Sequence, residues 1–212
     1  EGVSGEGVYN AGFFIMYNGK ISGNNSSGVN AQSLFEMYDG MICNNKTSDL
    51  GGGVYVSHLG EYEYNFEMYG GEISDNEAEN GAGVFIGGKK VAMNGGIISR
   101  NKSTNDGGGV YNEDGTFEMS GGAITDNETK EYGGGVCNED GTFEMSGGEI
   151  TRNKSEKNGG GVQHASQEPF KMSGTAKITN NTAISNGGGV LVARGYAITL
   201  GGEVENASAA LY

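Results

Sequence analysis

Proline and cysteine are scarce in this sequence, and neither supplies a framework for the fold. Pro169 is the single proline among 212 residues, which suits a fold whose strands are paired on both edges. Cys43 and Cys137 fall in different copies of an internal repeat, so we predict them to lie ~19 Å apart, beyond disulfide reach. Cysteine content therefore indicates no cellular compartment. No run of about 18 apolar residues is present, so no transmembrane helix is predicted.

Basic residues are also few. The chain has 13 lysine and arginine residues against 27 aspartate and glutamate residues, and its net charge is −14. This balance argues against nucleic acid and anionic membranes as partners, because both repel an acidic surface. It is compatible with divalent cations or simply with solubility. A helical period is absent as well, and 42 glycines would disfavour helices almost everywhere.

What the sequence does contain is a repeat of about 26 residues. Its central segment reads Phe-x-Met-(Ser/Tyr)-Gly-Gly-x-Ile, as in residues 117–124. Seven of the eight methionines occupy one position of that segment: Met16, Met37, Met68, Met93, Met119, Met145 and Met172. A valine follows a glycine-rich run in each copy: Val8, Val29, Val54, Val84, Val110, Val136, Val162 and Val190.

The repeat predicts an all-β fold. Apolar and polar residues alternate in Phe117-Glu118-Met119, as a strand with one buried face requires, and three short strands can be placed in each unit. Eight such units bury their apolar sides if the chain winds into a coil, with equivalent residues stacked ~4.8 Å apart. We therefore predict a parallel β-helix of about eight coils. A propeller or sandwich would need units of ~40 residues.

An asparagine follows three residues after most of the repeat isoleucines. Inward-facing asparagines at a bend can satisfy backbone groups that the turn leaves unpaired, and stacked amides can bond to one another along the axis. The alternative is N-glycosylation, because several of these residues begin Asn-x-Ser/Thr sequons. We prefer the structural role, since the motif recurs at the period of the repeat: Asn24, Asn45, Asn76, Asn101, Asn127, Asn153 and Asn181.

Residues 1–212 are expected to form a single β-helix repeat domain. The first copy begins almost at Glu1, the last is incomplete at Tyr212, and neither end contains a recognisable capping element. We therefore expect the chain to be a segment of a longer protein.

The glycine-glycine segments carry a resemblance to known repeats. Residues 70–73, 121–124 and 147–150 resemble the Gly-Gly-Ala-Ile repeats of chlamydial polymorphic outer membrane proteins. The wider unit is similar to repeats of large bacterial and archaeal surface proteins that belong to the pectin-lyase-like right-handed β-helix superfamily. This resemblance implies a right-handed solenoid, a secreted or cell-surface location and, since the superfamily includes such enzymes, activity on polysaccharides as an alternative function.

One outward-facing column of the second strand is acidic. The residue between Phe and Met should point to solvent, and four coils place a glutamate there: Glu36, Glu67, Glu118 and Glu144. Neighbouring glutamates ~5 Å apart would raise one pKa or recruit a cation such as Ca²⁺. Lys171 should pair with Glu144. The simpler interpretation is a solvated charged face, and we predict no metal site and no cofactor.

The longest insertion lies in the third copy. Its candidate ligand-binding residues are those that could stack on a sugar ring and hydrogen-bond to it: His58, Glu61, Tyr62, Glu63 and Tyr64. The alternative is a solvated surface loop. A second irregular segment holds His164 and Glu168, but two histidines in the whole chain give little support to a histidine-based metal or nucleophile site.

These patterns favour a non-enzymatic, extracellular structural or adhesive repeat segment of a microbial surface protein. Regular coils with short turns leave no deep cleft, and catalysis needs a pocket with convergent polar groups. We predict no catalytic residues. The alternatives are a polysaccharide lyase or hydrolase, and a carbohydrate-binding module that uses the loop of the third copy. A glycan or a host-surface protein is the expected partner, and end-to-end self-association is a further expectation.

The first prediction concerns the ends of the solenoid. Val8, Phe14 and Ile21 at one end, and Val190, Ile198 and Val204 at the other, are expected to present apolar columns. Because each repeat is stabilised by its neighbours, a version of the chain extended by further coils should unfold at a higher denaturant concentration. Denaturant unfolding with parallel sedimentation checks this. Equal midpoints, together with a strictly monomeric 212-residue chain, would contradict it.

Overall fold

In the computed structural model, the chain is an all-β parallel solenoid. The structure describes residues 5–57 and 64–204, and within these ranges every regular element is a strand. All strand pairs are parallel and join one coil to the next. The predicted parallel β-helix with three strands per coil is thereby confirmed.

Three long sheets form the walls of the solenoid, each with eight strands. The first sheet begins at the repeat valines and comprises Val8–Asn10, Val29–Ala31, Val54–Val56, Val84–Ile86, Val110–Asn112, Val136–Asn138, Val162–His164 and Val190–Val192. The second contains the Phe-x-Met segments and comprises Phe14–Met16, Phe35–Met37, Tyr64–Met68, Lys90–Met93, Thr116–Met119, Thr142–Met145, Phe170–Met172 and Ile198–Leu200.

The third sheet contains the repeat isoleucines and comprises Lys20–Ser22, Met41–Cys43, Glu72–Ser74, Ile97–Ser99, Ala123–Thr125, Glu149–Thr151, Lys177–Thr179 and Glu203–Val204. A fourth sheet, which the sequence did not predict, has five strands of two residues each: Glu77–Ala78, Lys102–Ser103, Glu128–Thr129, Lys154–Ser155 and Thr182–Ala183. Such short strands carry too little alternation to be recognised in a sequence.

The core consists of identical side chains stacked in register. Val110 pairs with Val136, Phe117 with Phe143 and Met119 with Met145, and all six side chains are buried. The phenylalanine rings stack face to face, with centroids 5.1 Å apart for Phe117 and Phe143. The predicted inward face of the Phe-x-Met strand is therefore confirmed.

The glycine pair that follows Met68, Met93, Met119 and Met145 has a steric cause. The second glycine adopts a positive φ, +79° at Gly122, which side chains rarely tolerate. A Cβ atom placed there would lie 2.7 Å from the terminal methyl of Met93 in the preceding coil. The methionine thus fills the space that the next coil leaves empty, and the two residue types recur together.

The predicted asparagine ladder is present and lies along one buried corner of the solenoid. The backbone N–H and the side-chain amide of Asn101 both donate to Oδ1 of Asn127, each over 3.0 Å. The Asn127 amide donates in turn to the carbonyl of Ile98 over 2.9 Å. Asn45, Asn76, Asn101, Asn127 and Asn153 are completely buried, which excludes glycosylation of these residues in the folded protein.

A charged column lies immediately outside the asparagine ladder. The residue before each ladder asparagine adopts the left-handed conformation, with φ between 54° and 57° at Asn44, Asp75, Arg100, Asp126, Arg152 and Asn180. Its charge alternates from Asp75 to Arg152. Arg100 binds Asp75 through two hydrogen bonds of 3.0 and 2.9 Å, and Arg152 binds Asp126 through two of 2.9 Å.

The fourth sheet repeats this alternation on its exposed side. Lys46, Glu77, Lys102, Glu128 and Lys154 occupy successive coils, so the three inner charges each lie between two opposite charges and the outer two lysines each lie beside one glutamate. A slip by one coil would place like charges side by side at ~4.8 Å, which is unfavourable. Since the core columns are nearly identical from coil to coil, these charges help to specify the register.

At the two ends the apolar columns are less exposed than expected. Val8, Phe14, Ile21, Ile198 and Val204 are partly buried against the core. The expectation was wrong for Val190, which is only 5% exposed because it packs within the stacked core.

The second prediction concerns the asparagine ladder. Asn127→Ala should destabilise the protein by roughly 3 kcal/mol or more, because the donors of Asn101 and the carbonyl of Ile98 lose their partners in a buried corner. Denaturant unfolding measures the difference. The matched control is Asn94→Ser. Asn94 is exposed, and the next two coils have serine at the equivalent position, Ser120 and Ser146. Equal stability of the two variants would contradict the role of the ladder.

Candidate functional site

The predicted acidic column lies on the outer face of the second sheet. The residues between the buried Phe and Met positions point away from the core and are paired in register from coil to coil. Glu36 lies beside Glu67, and Glu118 lies beside Glu144. The full column is Ile15, Glu36, Glu67, Ala92, Glu118, Glu144, Lys171 and Thr199. Sequence alone therefore placed all four glutamates on one face.

Glu118 and Glu144 are bound to lysines. Lys90 Nζ lies 2.8 Å from Glu118 Oε1, and Lys171 Nζ lies 2.7 Å from Glu144 Oε1. The hydrogen bond and the charge of Glu144 raise the pKa of Lys171 above its ordinary value. The Lys171–Glu144 pair was predicted, whereas Lys90 was not, because it precedes the regular Phe-x-Met segment.

Glu118, Glu144 and Lys171 line a shallow groove of about 470 Å³. Its lining includes hydroxyl and amide groups in addition to the charges, notably Asn94, Ser120, Ser146, Ser173 and Thr199. The Ser120 hydroxyl donates to Asn94 Oδ1 over 2.8 Å. The groove offers hydrogen bonds to a polar chain, but both of its carboxylates are neutralised by cations.

Glu36 and Glu67 have different partners. The Tyr69 hydroxyl donates to Glu67 Oε2 over 2.7 Å, and the Tyr38 hydroxyl approaches Glu36 Oε2 at 3.5 Å. The bond to Glu67, with the surrounding burial and the negative charges, raises the pKa of Tyr69 to about 12. Within residues 5–57 and 64–204, neither glutamate forms an ion pair.

The predicted sugar-binding loop falls largely beyond what the structure describes. His58, Glu61, Tyr62 and Glu63 lie outside the described residues, and Tyr64 begins the strand Tyr64–Met68. The backbone of Tyr64 pairs with Lys90 at a register irregularity. The loop therefore stays a prediction.

His164 belongs to a buried polar chain that the sequence did not reveal. The Asn112 amide donates to Asn138 Oδ1 over 2.6 Å, and Asn138 Nδ2 lies 3.2 Å from His164 Nδ1. The imidazole is completely buried, and this burial lowers its pKa. The three residues occupy the same position of successive coils, but asparagine and histidine share too little pattern to be recognised as one column.

A second cluster covers the outer side of the first sheet. Phe85, Tyr111 and Cys137 are buried there beneath neighbouring turns. Asp106 Oδ1 accepts a hydrogen bond of 2.9 Å from the Tyr132 N–H. Burial, followed by the negative charge of Glu139, raises the pKa of Asp106 to about 6. Sequence reasoning missed Asp106 because its burial depends on how turns of different coils pack together.

No metal centre is assembled in the described part of the chain. Residues 5–57 and 64–204 contain no group of three or more histidine, cysteine, aspartate or glutamate side chains that could hold a metal ion. Cys43 and Cys137 are both buried and unpaired. The described residues also include no helix of the length and apolarity that a membrane crossing requires.

Comparisons of the chain with protein-family models, with curated proteins and with solved structures found no match. Arguments about function therefore rest on the geometry and chemistry of the residues themselves.

The third prediction concerns the pH dependence of stability. The pKa of Asp106 is raised from 3.8 to about 6 on folding. The stability that its protonated form contributes is therefore complete below pH 3.8 and is lost as the pH rises through about 6. Asp106→Asn keeps the acceptor for Tyr132 without the charge. It should be more stable than the parent by about 1 kcal/mol at pH 7, since solvent reaches part of the carboxyl group, and equal to it near pH 4.

The contribution of His164 to stability depends on pH in the opposite direction. Its pKa is lowered from 6.5, so its contribution is present above pH 6.5 and is lost as the pH falls through the lowered value. His164→Asn continues the Asn112–Asn138 column and should reduce this loss of stability in acid. Thermal unfolding of both variants from pH 4 to 8 checks the pair. Parallel pH profiles for Asp106→Asn and the parent would contradict the assignment of Asp106.

Proposed function

We propose that this chain is a non-enzymatic structural and adhesive segment of an extracellular microbial surface protein. The observation that carries the proposal is the uninterrupted stack of identical core residues, from Val29 to Val190 in the first sheet, with side chains of fixed spacing on its outer faces. Such a scaffold spans distance and presents surface columns, and it needs no enclosed site to do so.

Mechanical continuity supports the structural part of the proposal. Successive coils are joined by backbone hydrogen bonds in at least three sheets. The asparagine ladder also joins the first seven coils, and cross-coil ion pairs join the coils from the second onward. At the ordinary strand spacing, eight coils extend over roughly 38 Å. A rod built in this way resists bending, because bending would stretch the backbone hydrogen bonds between coils on its outer side.

Surface chemistry supports the extracellular and adhesive part. The outer faces carry charged and hydroxyl side chains in columns, and the net charge of −14 keeps the chain soluble and disfavours nucleic acid. The repeat unit, including residues 117–124, resembles repeats of pectin-lyase-like surface proteins in bacteria and archaea. A glycan or a host-surface protein is the partner class that we propose on these grounds.

A polysaccharide-active enzyme is the second candidate, because a groove holds Glu118, Glu144 and Lys171. Acid–base chemistry requires a carboxylate or an amine that is free to exchange a proton with the substrate. Here each carboxylate is bonded to a lysine, and the Glu144 and Lys171 side chains are 42% and 56% exposed. A neutralised, solvated pair of this kind is a poor general acid or base, so we favour the non-enzymatic function.

A carbohydrate-binding module is the third candidate and depends on the loop of the third coil. A glycan array probed with the parent, Tyr62→Ala and Tyr64→Ala distinguishes it from the other two. Retention of a glycan by the parent and its loss in both variants would favour this function. Retention by all three would place glycan binding elsewhere on the scaffold.

The fourth prediction is that the chain releases no product from polygalacturonate, alginate or related polyuronates near neutral pH. The expected result follows from the neutralised state of Glu118 and Glu144. The measurement is the absorbance of unsaturated products together with an assay for reducing ends. Glu144→Gln is the control variant. Steady product release by the parent that disappears in Glu144→Gln would overturn the non-enzymatic function.

A further inference from the structure

An exposed row of tyrosines and glutamates occupies the first three coils. We define the tyrosine–glutamate row as Tyr17, Tyr38, Tyr69, Glu36 and Glu67. The tyrosines follow the second-sheet methionines and stack with ring centroids 5.2 and 4.9 Å apart. Their exposed fractions are 69%, 41% and 40%, which is unusual for three adjacent aromatic residues. Later coils carry Asn94, Ser120, Ser146 and Ser173 at this position, so the tyrosines are not required by the fold.

The carboxylates of the row differ from the others in the same column. Glu118 and Glu144 are bound to Lys90 and Lys171, whereas Glu36 and Glu67 have no cationic partner among the described residues. Two neighbouring carboxylates at the strand spacing of ~4.8 Å repel each other. A cation supplied from outside the chain would relieve this repulsion.

Hydrogen bonds within the row occupy the hydroxyl protons of two of its tyrosines. The Tyr69 hydroxyl uses its proton to bind Glu67, and the Tyr38 hydroxyl is directed to Glu36. The Tyr38 and Tyr69 oxygens and the carboxylates can therefore only accept further hydrogen bonds. A matching ligand must be rich in donors, as ammonium and guanidinium groups are.

The stacking of the rings argues against a sugar as the ligand of this row. Sugars bind to aromatic side chains mainly through the faces of the rings. Tyr38 has another tyrosine on each face, with interplanar angles of 23° and 12° to Tyr17 and Tyr69. Tyr38, at the centre of the row, therefore presents its ring edge and oxygen to solvent.

A groove next to the row provides room for a long side chain. It begins one residue beyond the tyrosines, has a volume of about 740 Å³ and includes Gly19, Gly40, Gly71 and Gly96 in its lining. Gly40 and Gly71 must lack a side chain, because their φ values are +99° and +80°. Met41 and Ile97 add apolar surface, which suits the aliphatic stem of a lysine or arginine.

The charge around the row and the groove is negative. Six charged residues lie there, four acidic and two basic: Glu36, Asp39, Glu67, Glu72, Lys20 and Arg100. Arg100 is already held by Glu72 and Asp75. The acidic chain as a whole would also steer a basic partner towards this face.

We propose that the tyrosine–glutamate row binds a lysine- or arginine-bearing polypeptide segment of a partner protein. The basic head group lies against Glu36 and Glu67, and its stem lies along the groove. The proposal rests on the proposed function, since it names the partner class of a scaffold that works by surface contact. It concerns the first three coils, away from Glu118 and Glu144 in the fifth and sixth coils.

The experiment, and the fifth prediction, is fluorescence anisotropy of a labelled lysine-rich peptide titrated with the whole chain. The double variant Glu36→Gln and Glu67→Gln should weaken binding about tenfold, because both acceptor charges are lost. The matched control is the double variant Glu118→Gln and Glu144→Gln, which removes the same charge from the same column. It should change the affinity less than about twofold, since those carboxylates are already paired.

A second pair of substitutions tests the tyrosines. Tyr38→Ser and Tyr69→Ser introduce the residue that the fifth to seventh coils already carry at this position, so the fold should be retained. Together they should weaken binding of the same peptide several-fold, because two aromatic side chains that contact the peptide are lost. Binding should also weaken as the salt concentration rises.

Four outcomes would overturn the proposal. Equal losses in the two glutamine double variants would mean that only net charge attracts the peptide. Unchanged binding in both the glutamine and the serine variants of the row would place the peptide elsewhere. Absence of binding by the parent, or binding of neutral glycans lost on Tyr38→Ser, would exclude a basic segment as the partner. None of these outcomes affects the polyuronate assay, which tests the non-enzymatic function separately.

Discussion

At one corner of the solenoid, an asparagine amide joins each of the first six coils to the next. Oδ1 of Asn127 accepts both the N–H and the side-chain amide of Asn101, and the Asn127 amide returns a bond to the carbonyl of Ile98. A buried corner without these partners would leave backbone groups unpaired, at a cost of about 1–3 kcal/mol each. The ladder therefore holds the turn after the third sheet in the same shape in each coil that carries one of these asparagines.

Because this turn keeps the same shape from coil to coil, it also sets the register of the residues on either side of it. The residue before each ladder asparagine is held in the left-handed conformation even when it is Arg100 or Arg152, and each arginine then binds the aspartate of the preceding coil. In the same way, the second glycine of each pair receives the methionine methyl of the coil before it. Each column is thus a consequence of stacking, and a change in one coil is felt by both neighbours.

This regularity decides where a function can lie. Inward columns are occupied by the core, so any specific surface must arise from departures in the outward columns. The structure has two such departures on the outer face of the second sheet. One is the groove with Glu118, Glu144 and Lys171, where charges are neutralised within the chain. The other is the stack of Tyr17, Tyr38 and Tyr69, where aromatic rings replace the serines of later coils.

The sequence by itself determined the solenoid, its inward columns and the outward position of Glu36, Glu67, Glu118 and Glu144, because a repeated alternation of apolar and polar residues has one compact solution. Only the tertiary structure decided which of those glutamates are paired, since Lys90 reaches Glu118 across the stack rather than along the chain. The burial of Asp106 and of His164, and the fourth sheet, were decided in the same way. These features depend on how turns and side chains of different coils meet, and residues about 26 positions apart carry no local pattern that encodes such a contact.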